Sequence, residues 1–164
     1  MNKDIKMAMN VVMLSFLVMS GINALGQSVL SERQISLELA GEIATAAMKQ
    51  CRQDGFRVSV VVLDRGGDVK IIMRDDGAGL HSLDGARRKA YTALTFRISS
   101  AEFAKRVTTT PALADFDGVL ALAGGLPIKS GDEVFGSIGI SGAQSGAIDE
   151  KCAQTGIDKL KSRL

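Results

Sequence analysis

The stretch GGLPIKSGDEVFGSIGISGA, residues 124–143, decides the fold of this chain. Two short apolar segments, residues 126–129 and 134–141, flank the turn sequence Ser130-Gly131-Asp132, which predicts a β-hairpin. Glycine recurs inside the second segment, although it weakens a strand interior because it has no side chain to pack. Repeated glycine in one strand therefore predicts a bulge, or close approach by another backbone or a ligand.

A second hairpin is predicted earlier in the chain. Residues 56–63 include an unbroken β-branched run that is apolar on both faces, which predicts a buried strand. Asp64-Arg65-Gly66-Gly67-Asp68 turns the chain into residues 69–74, where apolar and basic residues alternate as in a half-buried strand. Strands joined by such tight turns are antiparallel.

Four helices and one further strand complete the predicted order. The first helix begins after Ser31, which forms a capping-box pattern with Gln34, and ends at Asp54-Gly55. The other helices cover residues 83–98, 101–107 and 147–164, and the further strand covers residues 119–123. Helix, two strands, two helices, three strands and helix predict an α+β domain built on one antiparallel sheet.

Residues 1–26 have the pattern of a secretory signal peptide. Lys3 and Lys6 precede an apolar run over residues 7–19, and the small residues Ala24 and Gly26 stand at its exit. This run is shorter than the about 20 residues that span a bilayer. We therefore expect cleavage after Gly26, one mature domain over residues 27–164, and a periplasmic or secreted location. An uncleaved anchor is the alternative, with membrane contact through this segment only.

Cys51 and Cys152 are the two cysteines of the chain, and each falls on the apolar stripe of a predicted helix. An exported protein can join such a pair in a disulfide. Two buried free thiols are the alternative, since cysteine also packs as a small hydrophobe. The net charge is only +2 and tryptophan is absent, so we expect no nucleic-acid partner.

Four motifs in order resemble the GlcG/HbpS family, also called the haem-degrading or DUF336 domain. They are Asp64-Arg65-Gly66-Gly67, ARRKAYTA at residues 86–93, GGLPI at 124–128 and GSIGISG at 136–142. The resemblance covers about residues 31–160. It implies a profilin-like α+β fold with an antiparallel five-stranded sheet flanked by helices. It also implies a homo-oligomer and, as ligand and cofactor, haem or a related tetrapyrrole.

His81 is the candidate haem ligand because it is the single histidine, and imidazole is a good axial ligand for haem iron. It precedes Ser82, the predicted cap of the next helix. Arg87, Arg88 and Lys89 are candidates to pair with haem propionates through charge-assisted hydrogen bonds. A solvated loop histidine beside a solvated basic helix face is the alternative.

Weaker candidates lie on neighbouring loops. Thr108, Thr109 and Thr110 carry hydroxyls, although a role in the turn before Pro111 is the simpler interpretation. Asp75 and Asp76, next to Arg74, are a candidate metal or substrate site, with simple exposure as the alternative.

The sequence assigns no catalytic residue, because it has neither a Ser-His-Asp pattern nor a phosphate-loop spacing. Whether the protein is an enzyme therefore stays open. The predicted function is that of an exported haem-binding protein for haem storage, protection or sensing. One alternative is an enzyme that degrades haem or acts on a small hydroxy acid or carbonyl compound. The other is an accessory subunit that contacts a membrane sensor.

Overall fold

One antiparallel sheet with helices on both faces organises the chain. The computed structural model describes residues 31–164; residues 1–30, with the predicted signal segment and its cleavage site, lie outside the described residues. No helix among the described residues is long and apolar enough to cross a membrane. The helices are α1 (Leu37–Gln53), α2 (Ser82–Phe96), α3 (Ser100–Thr109) and α4 (Gly146–Lys159), and the strands are β1 (Ser59–Asp64), β2 (Val69–Arg74), β3 (Gly125–Ser130) and β4 (Glu133–Ser141).

The strands of the sheet lie in the order β2-β1-β4-β3, and every neighbouring pair is antiparallel. Both predicted hairpins are confirmed, since β1 pairs with β2 and β3 pairs with β4. The first turn is held by the Asp64 carboxylate, which accepts hydrogen bonds from the N–H groups of Gly66 (2.9 Å) and Asp68 (3.1 Å). The central strands β1 and β4 are buried, as the apolar character of residues 56–63 predicts for β1.

The prediction of five strands is wrong, because residues 119–123 do not join the sheet. Their backbone groups are bonded to side chains of α2 and α3 instead. The Leu120 N–H donates to Thr92 Oγ1 at 2.8 Å, and Ser100 Oγ donates to the Leu122 carbonyl at 2.6 Å. Backbone groups satisfied in this way no longer need a neighbouring strand. The α+β class is confirmed with four strands, and the profilin-like description stays a prediction.

Successive side chains of β1 point alternately into two apolar layers, one on each face of the sheet. Val60 and Val62 pack with α1 and α4 in the larger core, whereas Val61 and Leu63 pack against α2 in the smaller one. Successive strand residues point to opposite faces, so a strand covered by helices on both faces is apolar throughout. This is the physical origin of the β-branched run that predicts a buried strand.

A disulfide joins the two helices of the larger layer. Cys51 lies on α1 and Cys152 on α4, both are fully buried, and their Cα atoms are 5.6 Å apart. The structure therefore has the bridge rather than two free thiols. The two cysteines are separated by 101 residues along the chain, so the bridge closes most of the described fold into one loop.

Two glycines let α2 lie directly on the sheet. A Cβ atom at Gly139 would overlap the Ala86 carbonyl oxygen, and one at Gly125 would overlap the Lys89 carbonyl oxygen. The repeated glycine of residues 124–143 thus allows close approach by another backbone, as predicted. Because α2 carries the predicted site residues, these glycines also set where the site stands on the sheet.

Helix α1 begins later than predicted. Its N-cap is Ser36, whose Oγ accepts a hydrogen bond from the Leu39 N–H at 3.1 Å, and not Ser31. Ile35, just before this cap, is buried and donates its N–H to the Phe135 carbonyl of β4 at 3.1 Å. That tertiary bond holds Ile35 outside the helix, which moves the start by five residues.

Candidate functional site

His81 stands immediately before α2, at the surface. Its backbone is helical (φ −73°, ψ −17°) and its side chain makes no capping hydrogen bond. The imidazole lies over Gly79, where an added Cβ would come within 2.8 Å of Cε1. The next residue toward the N terminus, Leu80, is 89 % exposed. Among the described residues, no hydrogen-bond or ion-pair partner engages this imidazole, so it can accept a ligand beside an apolar side chain.

The loop that carries His81 is anchored at its start by Asp75. The Asp75 carboxylate is buried and accepts two hydrogen bonds from Arg52, at 2.8 Å and 3.0 Å, with Arg57 3.7 Å away. The hydrogen bond from Arg52 lowers the pKa of Asp75 below its ordinary value. A carboxylate engaged in this way holds a loop in place. The interpretation of Asp75 and Asp76 as a metal or substrate site is therefore wrong for Asp75.

Ser82 fixes the other end of the loop. Its buried hydroxyl lies 2.6 Å from the Gly79 carbonyl, to which it donates, and 2.8 Å from Ser59 Oγ on β1. Ser82 is the first helical residue and not the N-cap that the sequence predicts. The start of the loop is thus bonded to α1 and its end to β1, so both ends of the segment that carries His81 are anchored.

Arg87 and Arg88 are at the surface of α2 and share one acidic neighbour. Arg87 lies 3.3 Å and Arg88 3.8 Å from the Asp84 carboxylate, and all three side chains are substantially exposed. Arg88 also donates from Nη2 to the Val119 carbonyl at 2.7 Å, which orients its guanidinium. Exposed ion pairs of this kind are weak, so both arginines can exchange Asp84 for an anionic ligand.

Lys89 does not belong to the same basic surface. It is 3 % exposed, and its Nζ donates to Asp149 Oδ2 at 2.7 Å and to the Ile140 carbonyl at 3.1 Å. The grouping of Arg87, Arg88 and Lys89 is therefore wrong for Lys89, because successive helical residues point about 100° apart. Burial raises the pKa of Asp149, against the opposing hydrogen bond from Lys89.

Thr108 and Thr109 form the end of α3 and Thr110 follows it, so all three lie where the helix ends before Pro111. Thr108 Oγ1 donates to the Lys105 carbonyl at 2.6 Å, and Thr109 Oγ1 donates to the Arg106 carbonyl at 3.0 Å. Thr110 is the C-cap of α3 and directly precedes the 3-10 helix Pro111–Asp115. These contacts give the threonines a local role at a helix end.

Sequence reasoning missed the partners that hold the site together. The Arg52–Asp75 and Lys89–Asp149 pairs join residues 23 and 60 positions apart. No local spacing signals such contacts, since each depends on how α1, α2 and α4 pack.

In the described residues, no group of three or more His, Cys, Asp or Glu side chains has the geometry to hold a metal ion.

The chain matches the family described as Haem degrading protein HbpS-like over residues 35–158. It belongs to that family. A crystal structure of an HbpS double mutant from Streptomyces reticuli is 40 % identical, with a TM-score of 0.80, and the match covers 85 % of this chain and 95 % of that one. The similarity thus spans nearly all described residues, including those around His81.

Two further relatives are a haem complex and an uncharacterized protein. The PduOC:Heme complex has 25 % identity and a TM-score of 0.70, with 76 % of this chain and 94 % of that chain covered. An uncharacterized 15.0 kDa protein of Citrobacter freundii, from the dhaT-dhaS intergenic region, is 29 % identical over 129 residues. That match covers 76 % of this chain and 90 % of the relative. A haem complex is thus known for one protein with this fold.

Proposed function

We propose that this HbpS-like protein binds haem at its surface, with His81 as the axial ligand of the iron. The observation that carries the proposal is the exposed imidazole, which has no partner among the described residues and stands on an anchored loop beside the exposed Leu80. Haem supplies an iron centre that takes an imidazole nitrogen as axial ligand. The PduOC:Heme complex, a protein of similar fold, supports the choice of haem.

Arg88 is better placed than Arg87 to meet a carboxylate of a group held at His81. Arg88 lies seven positions after His81, which is about two helical turns, so both lie on one face about 10 Å apart along the axis. Arg87 points about 100° away from Arg88 on the same helix. Lys89 takes no part, because its ammonium is buried against Asp149.

The wider assignment is an exported homo-oligomer that stores, shields or senses haem. The pattern of residues 1–26 supports export to the periplasm or outside the cell, and the disulfide agrees with an oxidising compartment. The membrane-sensor partner remains the alternative in which the protein acts as an accessory subunit. A pull-down with haem-loaded and haem-free protein separates those roles.

A haemin titration followed by absorbance tests the binding proposal. Wild type should show saturable binding with a Soret band, and His81→Ala should shift that band and weaken binding. Arg88→Gln should weaken binding about fivefold, the effect of one exposed charge pair. Arg106→Gln is the matched control, since Arg106 is an exposed arginine on α3 whose side chain has no ion pair among the described residues. Equal spectra and affinities in wild type and His81→Ala would overturn the assignment.

Haem degradation is the second candidate, favoured by the description of the family. Its test is loss of the Soret band when the haem-loaded protein receives a reductant and oxygen. Loss in wild type that is absent in His81→Ala would establish turnover at this site. A stable Soret band would favour storage, protection or sensing.

A further inference from the structure

A second site candidate lies at the free edge of the sheet, and His81 is not among the residues that line it. It is a groove of about 440 Å³ between the α2–α3 junction, the edge strand β3 and the end of α4. This size falls within the range of about 300–1,000 Å³ that is typical of small-molecule pockets. Its floor is apolar and includes Leu126, Pro127 and Ile157.

The edge of β3 is unsuited to pairing with another strand. Pro127 has no N–H to donate, and the Gly125 N–H is already bonded to Ser100 Oγ at 2.8 Å. An added strand would therefore find two donors of this edge missing or occupied. The groove beside the edge remains accessible to a small molecule.

Three cations stand around this groove. Arg97, Lys129 and Lys161 line it and are exposed, and among the described residues none of their side chains has an ion-pair or hydrogen-bond partner. The lining also holds two acids, Glu102 and Asp158. Glu102 lies 3.7 Å from Lys105, and Asp158 accepts a hydrogen bond from Gln154 at 2.8 Å. Glu102 is paired with a lysine outside the lining, so three cations face one unpaired carboxylate, Asp158, above the apolar floor.

Arg97 is held in a backbone conformation that favours glycine. Its φ is 57° and its ψ 27°, and it is the only non-glycine residue with positive φ in the described part of the chain. A left-handed conformation is unfavourable for a residue with a Cβ atom. Such conformations in ordinary residues concentrate at functional sites. The backbone of Arg97 is therefore strained where its side chain lines the groove.

We propose that this groove binds a small organic dicarboxylate with an apolar body. The three cations exceed the Asp158 carboxylate by two positive charges. Two ligand carboxylates match that surplus through charge-assisted hydrogen bonds, while the apolar body covers Leu126 and Pro127. Haem has the same chemistry, with two propionates on an apolar ring. The test therefore has one arm for a small acid and one for haem.

The first arm measures phenylsuccinate binding by isothermal titration calorimetry, with the neutral phenylsuccinamide as comparison. Wild type should bind the acid and not the amide. Lys129→Gln and Lys161→Gln should each weaken binding about fivefold. Lys159→Gln is the matched control, because Lys159 is an exposed lysine at the end of α4 that lines a different groove. No binding by wild type, equal binding of acid and amide, or an equal loss in Lys159→Gln would overturn the proposal.

The Arg97→Gly variant separates the contribution of the Arg97 charge to ligand binding from the contribution of its backbone to stability. Glycine accepts the observed φ, so this variant should keep or raise the midpoint of thermal unfolding while it loses affinity for phenylsuccinate about fivefold. Unchanged affinity in Arg97→Gly would remove Arg97 from the site. A lower midpoint would overturn the assignment of strain to this residue.

The second arm repeats the phenylsuccinate titration on haem-saturated protein and on His81→Ala. Unchanged affinity in both supports a groove that is independent of haem. Competition by haem that persists in His81→Ala would show that haem itself occupies the groove, which overturns the small-acid proposal. Because His81 does not line the groove, the two proposals fail separately.

Discussion

The Lys89 ammonium and the Asp149 carboxylate form a buried ion pair of 2.7 Å that joins α2 to α4 beyond the end of β4. Asp149 also accepts the Ala143 N–H at 3.0 Å, and Lys89 also donates to the Ile140 carbonyl. Two helices from opposite faces of the sheet thus meet at one polar contact. The helix that follows His81 is fixed to the rest of the fold at this point.

Lys89→Met or Asp149→Asn should each destabilise the fold by about 3–5 kcal/mol, because one partner of a buried pair is left uncompensated. The double variant Lys89→Met/Asp149→Leu should recover much of that loss, since it removes both buried charges. Urea unfolding of the three variants gives the comparison. A double variant as unstable as the two single losses added together would contradict this account.

The Arg52–Asp75 pair should make the fold sensitive to acid. The hydrogen bond from Arg52 holds the pKa of Asp75 below its ordinary 3.8. The contribution of the pair to the free energy of unfolding is therefore complete above about pH 4 and is lost as the pH falls through the lowered pKa. Denaturant unfolding between pH 2.5 and pH 7 measures this loss.

Asp75→Asn is the matched variant for that measurement. It should be less stable than wild type at pH 7 and should show a flatter acid dependence below about pH 4, because the titrating group is gone. Asp76→Asn is the control, since Asp76 is exposed and makes no side-chain ion pair among the described residues. A full acid dependence retained in Asp75→Asn would assign it to other carboxylates.

The Cys51–Cys152 disulfide should contribute substantially to stability. Removing a native bridge from a domain of this size typically costs about 2–5 kcal/mol. A double Cys51→Ala/Cys152→Ala variant should lose stability in this range in urea unfolding. A thiol assay on the denatured exported protein should detect no free thiol, and two free thiols per chain would restore the alternative interpretation.

Gly139→Ala should be strongly destabilising because an added methyl group would overlap the backbone of α2. Overpacking of this kind typically costs about 1–3 kcal/mol, and here the obstacle is backbone that cannot rotate away. Gly41→Ala is the control on helix α1, where a Cβ would meet only Ile71 Cδ1 at an ordinary 3.7 Å. That substitution should be neutral or stabilising by up to about 1 kcal/mol. Thermal unfolding of both variants decides the matter.

Local signals predicted much of the architecture. Both hairpins, four helices and the antiparallel sheet follow from turn residues and apolar periods, which act over a few neighbouring residues. The prediction of a fifth strand was wrong because Thr92 and Ser100 form hydrogen bonds with the backbone of residues 119–123. No local sequence pattern indicates those bonds. The predicted start of α1 was wrong for the same reason, since the Ile35 N–H donates to the Phe135 carbonyl of β4, which is distant in the sequence.

By itself the sequence determined the order of the helices and of the four observed strands, the burial of β1, the pairing of β3 with β4, and the position of a single histidine ahead of a helix. Turn chemistry and apolar periodicity suffice for these features because they are local. Only the tertiary structure decided that Lys89 is buried while Arg88 is exposed, and that Arg52 neutralises Asp75. It also decided that Arg97, Lys129 and Lys161 meet at one groove. These outcomes depend on contacts between residues far apart in the chain, which form only when the helices dock on the sheet.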